Sequence, residues 1–233
     1  MKILAVIPAK SISKRLPGKN LKLLNHKPII SYTIEVAINC RLFNNIFIST
    51  DSIEIKDIAL SHGLKIPFLR PMELCDDHVR NIDVVRHILE ELPEFKIQHD
   101  SIMLLQPTSP FRNEKDIKNA VLLFKENECN SVISVTEYNI SPFHTFYINS
   151  NQLKPLWQKY YLKNETSTNT DKLYRPNGSI FLTKMEYFLQ YNTFVSEDAV
   201  PYIMPRIRSV DIDEDVDYYF AEFLLKTNKL EYK

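Results

Sequence analysis

The sequence predicts an α/β fold, a mostly parallel sheet flanked by helices on both faces, and two observations predict it. Short apolar runs of strand length alternate with longer segments whose apolar residues recur at helical spacing. The chain's 233 residues, 44% hydrophobic and 25% charged, suffice for one large domain with a sizeable core. Strands separated by helices lie parallel, because each crossover carries the chain back to the same end of the sheet.

In order, ILAVI (3–7) is a buried strand, and PIISYTIEVAINC (28–40) is a helix by the spacing of its apolar residues. NIFIST (45–50) is a strand running into Asp51. SIEIKDIALSHG (52–63) is a helix with Ser52 as N-cap and Gly63 as its stop. NIDVVRHILEEL (81–92) is helical, SIMLLQ (101–106) a strand, EKDIKNAVLLFKEN (114–127) a helix and SVISVT (131–136) a strand. The alternation loosens over 138–175, where strand-like FHTFYI (143–148) and polar LKNETSTNTDK (162–172) read as an excursion from the main sheet. GSIFLT (178–183) returns as a strand, VPYIMP (200–205) and RSVDID (208–213) follow, and EDVDYYFAEFLLKTN (214–228) is a closing helix. Its first turn is acidic and Lys226 lies near its end, both suited to the helix dipole.

Composition excludes several classes. Twenty-nine basic and 29 acidic residues leave no net charge, which argues against a general nucleic-acid binder. Cys40, Cys75 and Cys129 are odd in number and form no CxxC pair, so they read as reduced cytosolic thiols and not as disulfides or a zinc site. MKILAVIPAK is too short in its apolar part for a signal-peptide core, and no apolar run is long enough to cross a bilayer. A soluble, cytoplasmic protein is expected. His62, His78, His87, His99 and His144 show no ligand spacing, and His26 falls in a turn, so all six are read as surface or packing residues. Ser109 lacks a GxSxG elbow. The aromatic run YYFAEF (218–223) is assigned to the core or a subunit contact, and Trp157 to a subunit surface.

Two clusters remain. AVIPAKSISKRLPGKN (5–20) sets Lys10, Lys14, Arg15 and Lys19 in a loop directly after the first strand. In open parallel sheets ligands bind beyond the carboxyl ends of the strands. Together with backbone N–H groups around Pro17-Gly18, such a loop suits a polyphosphate, although it is neither GxxxxGK[ST] nor GxGxxG. Charge alone fits a solvated basic loop equally well. The second cluster is SVDIDEDVD (209–217). On a strand, Asp211 and Asp213 would share a face with Cα atoms roughly 6–7 Å apart, spaced to share a magnesium ion with phosphate oxygens. Helix-dipole placement accounts for Glu214, Asp215 and Asp217 but poorly for this pair. Together the clusters point to metal-assisted chemistry on a nucleoside triphosphate.

At this point a resemblance enters. AVIPAKSISKRLPGKN is similar to the IPARxGSKGLPGKN signature of the sugar-acid cytidylyltransferases, the CMP-sialic acid synthetase family that includes legionaminic and pseudaminic acid enzymes. RPMELCDD (70–77) resembles the family's RPxELAxD, LLQPTSPFR (104–112) its LLQPTSPLR, YRPNGSIF (174–181) its YRPNGAIY, and SVDIDEDVD its IDIDxxxD. The five blocks stand in family order across nearly the whole chain. The resemblance implies a single Rossmann-like nucleotidyltransferase domain that joins CTP to a nonulosonic acid, releasing pyrophosphate. It implies that Lys10, Ser13 and Lys19 contact the triphosphate, Asn20 the nucleotide, and Arg70, Val79 and Asn81 the cytidine site. It further implies that Gln106 lines the sugar-acid pocket, Arg175 meets the carboxylate, Asp211 and Asp213 hold Mg²⁺, and 138–175 is an inserted dimerisation region of a homodimer. The general base stays open.

Departures from the family pattern are few. Lys10 stands where Arg is usual, losing a planar bidentate fork. Ile12 and Arg15 stand where Gly is common, which predicts a stiffer loop, and Asn81 where Ser is frequent. A glycosyltransferase whose DxD pair looks alike, or a CTP-binding regulator without turnover, are the alternatives.

Overall fold

The computed structural model describes residues 1–138, 145–156, 172–227 and 230. In chain order the elements are β1 (Ile3–Pro8), β2 (Leu23–Leu24), β3 (Lys27–Pro28), α1 (Ile29–Asn39), β4 (Asn45–Ser49) and α2 (Ile53–Ser61). Then come α3 (Asn81–Glu91), α4 (Glu94–Gln98), β5 (Ser101–Leu104), α5 (Glu114–Glu126) and β6 (Ser131–Glu137). The remainder comprises β7 (Phe146–Asn149), β8 (Gln152–Pro155), β9 (Tyr174–Lys184), α6 (Met185–Tyr191), β10 (Val200–Ile203) and α7 (Asp215–Lys226).

Six strands form the main sheet in the order β10-β6-β9-β5-β1-β4. The β1–β4, β1–β5 and β6–β10 pairs are parallel, as expected; β9 runs antiparallel to both its neighbours. Alternation along β1 shows why helices cover both faces. Ile3, Ala5 and Ile7 pack with α1, α2 and α5, while Leu4 and Val6 pack with α3 and α6. A third cluster joins Leu16, Leu24, Ile29, Phe111, Val210 and Ile212 to Tyr218, Ala221 and Leu224 of α7.

Local signals hold where the chain chemistry is explicit. Ser52 Oγ accepts the Ile55 N–H at 3.2 Å as the N-cap of α2, and Gly63 follows that helix with φ +79°. His26 lies in the β2–β3 turn, where Asn25 and His26 both take positive φ, as a two-residue hairpin loop requires. All three cysteines are free and buried. His99 packs in the core, its ring between the Phe95 carbonyl and Asn45.

Two expectations are corrected. GSIFLT is the second half of a much longer β9 that begins at Tyr174, so the excursion ends earlier than 175. RSVDID forms no strand: Pro205 opens a 3₁₀ turn at Arg206–Arg208 and the chain then runs irregularly to α7. That segment passes over the carboxyl end of the sheet, where no strand edge is available to it. Beyond that turn, Ile212 N–H donates to the Thr108 carbonyl at 2.8 Å. Of the excursion, the β7–β8 hairpin lies within the described residues; Trp157, His144 and most of LKNETSTNTDK lie outside them. No helix among the described residues is long and apolar enough to cross a membrane.

Candidate active site

β1 has β4 on one side and β5 on the other, and the chain visits β4 before crossing back to β5. The reversal opens a crevice beyond the carboxyl ends of β1 and β5, the usual ligand position in such sheets. Three loops meet there: residues 9–20 after β1, 105–113 after β5, and 204–214 before α7.

The first loop is built to hold its shape without a ligand. Ser11 gives both its backbone N–H and its hydroxyl to Asp51, just beyond β4, and Asn20 Nδ2 donates to the Lys10 carbonyl at 2.8 Å. Leu16 is buried against Val210 and Ile212, which draws the loop onto the acidic segment. None of the N–H groups from Ile12 to Leu16 donates to another described residue, and the buried Ser13 hydroxyl and Asn20 Oδ1 also lack partners. Unused donors beside clustered cations suit an anion. Ile12 is 55% exposed and points outward, and neither Ile12 nor Arg15 takes positive φ. The departures from glycine therefore impose no backbone strain in this loop.

The cations are held by acids. Lys19 Nζ lies 2.8 Å from Asp213 Oδ1, and Arg15 Nη2 lies 2.8 Å from Asp213 Oδ2. Lys10 and Lys14 share Asp77, at 2.5 and 3.2 Å. Burial pushes the Asp213 carboxyl up, but the hydrogen bonds and charges of Lys19 and Arg15 outweigh it and the net shift is downward. Lys10 and Lys14 likewise hold Asp77 below the usual carboxylate range.

A hollow of about 130 Å³ brings Lys10, Lys19 and Asn20 together with Arg70, Val79, Asn81 and Gln106, seven of the residues singled out in the sequence. Ser13 lines an adjoining hollow of about 560 Å³ with Lys10, Lys19 and Asp213. Arg70 is buried, with Nε on Ser49 Oγ at 2.9 Å and Nη2 on the Ser49 carbonyl, so one edge of its guanidinium is committed to the end of β4. Arg175 and Asp211 line a third hollow of about 530 Å³ with Arg206, Ser209 and Phe220.

Ile212, between Asp211 and Asp213, is buried; Asp213 sits with the cations of the first loop, and Asp211 lines the hollow of Arg175. They still interact. Burial pushes the Asp211 carboxyl up and the nearby Asp213 and Asp217 charges add to this, against a Thr108 hydrogen bond and Lys19. Asp211 Oδ1 is buried with no partner. An orphaned carboxylate oxygen beside a second carboxylate and a basic loop fits Mg²⁺, which takes one or two protein carboxylates and completes its shell with water and phosphate. No group of three or more His, Cys, Asp or Glu suited to a metal occurs among the described residues.

Several residues that build the site were not singled out from the sequence. Thr108 lowers the Asp211 pKa against burial, Asp77 holds two lysines, and Arg206 lines the hollow of Arg175. Arg112, the last residue of LLQPTSPFR, is a buried brace: it donates to the Ser179 carbonyl and, at 2.7 Å, to Thr33 Oγ1. Burial pulls its pKa down to about 10. Asp116 of α5 is a second brace, accepting from Arg208 and, at 2.8 Å, from the Tyr202 hydroxyl, which anchors the turn that leads to Asp211. Asp77 and Arg112 could have been found within the RPMELCDD and LLQPTSPFR blocks; Asp116 carries no sequence signal of its own.

Comparison with known proteins identifies the family. The family model described as cytidylyltransferase matches residues 4–220. The chain belongs to the cytidylyltransferase family. This cytidylyltransferase is 38% identical over 233 residues to the CMP-N,N'-diacetyllegionaminic acid synthase of Legionella pneumophila, covering 98% of each chain. It is 32% identical over 228 residues to the pseudaminic acid cytidylyltransferase of Campylobacter jejuni, again covering 98% of each. Its fold matches a solved CMP:2-keto-3-deoxy-manno-octonic acid synthetase complexed with CTP, with TM-score 0.71 and 14% identity, over 98% of this chain and 100% of that one.

Proposed function

We propose that the protein transfers a cytidylyl group from CTP to a nonulosonic acid of the legionaminic, pseudaminic or sialic type, giving the CMP-sugar and pyrophosphate. The observation that carries this reading is the 2.8 Å contact between Lys19 and Asp213, which joins the basic loop to the paired carboxylates across 194 positions of sequence. The relatives' names supply the substrate class.

In the reaction the anomeric hydroxyl oxygen of the acid bonds to the α-phosphorus and gives up its proton to solvent, the bond to the β-phosphate breaks, and pyrophosphate takes its electron pair. Two anions must meet, so neutralisation and positioning carry much of the rate. Lys10, Lys19 and the free N–H groups of the first loop receive the triphosphate, exchanging Asp77 and Asp213 for phosphate oxygens. Arg70, Val79 and Asn81 enclose the cytosine end, and Gln106 and Arg175 orient the acid. Asp211 and Asp213 would hold Mg²⁺, which when bound offsets phosphate charge and lowers the pKa of the attacking hydroxyl.

The reading includes a homodimer. The β7–β8 hairpin exposes Tyr147, Ile148 and Leu153, apolar surface that a second copy would cover. Three buried, reduced thiols suit a cytoplasmic location.

The test is pyrophosphate release from CTP with a panel of legionaminic, pseudaminic and sialic acids. Mg²⁺-dependent release with at least one acid is expected, nearly abolished in Asp211→Asn and Asp213→Asn. No release with any acid would overturn the reading.

A further inference from the structure

β9 leaves its ladder for four residues. Ile133 pairs with Phe181 and Val135 with Pro176, so Asn177, Gly178, Ser179 and Ile180 stand opposite Ser134 alone. An extended bulge inside a central strand re-aims the backbone locally. Here it is aimed at the site: a Cβ on Gly178, whose φ is +77°, would lie 3.6 Å from both Asp211 Oδ2 and Gln106 Oε1 and 3.1 Å from Ser109 Oγ.

One side chain organises this arrangement. Asn177 is 1% exposed and uses its whole hydrogen-bonding capacity. Its Oδ1 accepts from Ser134 Oγ at 2.6 Å and from the Ser179 N–H at 3.1 Å. Its Nδ2 donates to Ser209 Oγ at 2.9 Å and to Met204 Sδ at 3.3 Å. The amide orientation follows from the partners: the Ser179 N–H can only donate, and Ser209 gives its own proton to the Pro205 carbonyl. The Asn177 carbonyl also accepts from Ser109 Oγ at 3.2 Å. A single residue therefore ties β6, the bulge, the loop after β5, and the segment two residues before Asp211.

We infer that Asn177 is a positioning residue for the carboxylate centre: through Ser209 and the bulge it sets the position of Asp211 and so tunes divalent-cation affinity. The inference rests on the cation site in the proposed function. Partners that orient a ligating group without touching the cation typically shift its affinity by roughly 10–100-fold.

Its test uses the full chain, with Mn²⁺ as the probe, read by electron paramagnetic resonance in the presence of CTP. Asn177→Ala removes every amide contact and Ser209→Ala only the one nearest Asp211. Both should weaken Mn²⁺ binding, by about tenfold or more for Asn177→Ala, with CTP binding in the absence of metal unchanged. The double variant should be no worse than Asn177→Ala alone, since both act through one contact chain. A purely structural residue would lower the melting temperature and leave Mn²⁺ affinity at the wild-type value, and that result overturns the inference. Should Asn177→Ala fail to fold, Ser209→Ala decides alone, and wild-type Mn²⁺ affinity in it has the same consequence. A wild-type protein that binds no Mn²⁺ with CTP removes the cation site from the proposed function and this inference with it, a different outcome from a competent wild type with unaffected variants.

Discussion

Replacing Asp116 by Ala should cost more stability than removing any surface charge of the molecule. The carboxylate is 1% exposed at its side chain, and its partner Arg208 is 16% exposed. Three donors converge on it: Arg208 Nη1, the Tyr202 hydroxyl at 2.8 Å, and the Asn113 N–H at 2.8 Å in the N-terminal box of α5. Stranding one side of a buried ion pair costs roughly 3–5 kcal/mol, and the slight exposure of Arg208 places this case near the lower end. Losing the reciprocal cap at Asn113 adds about 1 kcal/mol. A total of about 4 kcal/mol corresponds to a fall in melting temperature of roughly 8–16 °C for a chain of this size. Asp116→Asn keeps an acceptor for the hydroxyl and should lose about half as much. Urea unfolding followed by circular dichroism measures both, with an unchanged slope expected because the surface exposed on unfolding is the same. An Asp116→Ala midpoint equivalent to less than about 1 kcal/mol of destabilisation would refute the assignment of a buried brace.

Two further outcomes follow from the site. Gly178→Ala forces a side chain into positive φ at about 1–2 kcal/mol and brings its Cβ within 3.1 Å of Ser109 Oγ. A lowered melting temperature with at least about tenfold slower pyrophosphate release is expected, and wild-type values of both would show that the bulge tolerates a Cβ. Arg175→Ala and Arg206→Ala each remove a cation from the hollow that also holds Asp211. A charge-assisted hydrogen bond contributes about 1.5–3 kcal/mol, so KM for the sugar acid should rise roughly 10–100-fold. KM for CTP should stay constant; an equal rise for CTP would move both arginines to the nucleotide.

The parts legible in sequence are those whose chemistry is local. β1 announces itself as an unbroken apolar run, α2 by its Ser52 cap and Gly63 stop, and the first loop by four cations with nothing acidic among them. The short α4 and α6 and the two-residue strands β2 and β3 carry too few periods to be read. The 209–213 segment misled because alternation of Asp with apolar residues is what a strand shows, yet no strand edge lies beside it. Asp116 and Asn177 look like ordinary polar residues until their partners, 92 and 43 positions away, are brought to them.

By itself, then, the sequence determined the α/β class, the order of most elements, the family blocks and the identities of the charged groups, because propensity, capping and side-chain charge act over a few residues. Only the tertiary structure decided that Lys19 and Arg15 meet Asp213 and that β9 bulges toward Asp211. Those outcomes depend on which distant groups the packed core leaves within hydrogen-bond reach, a distance that no local pattern encodes.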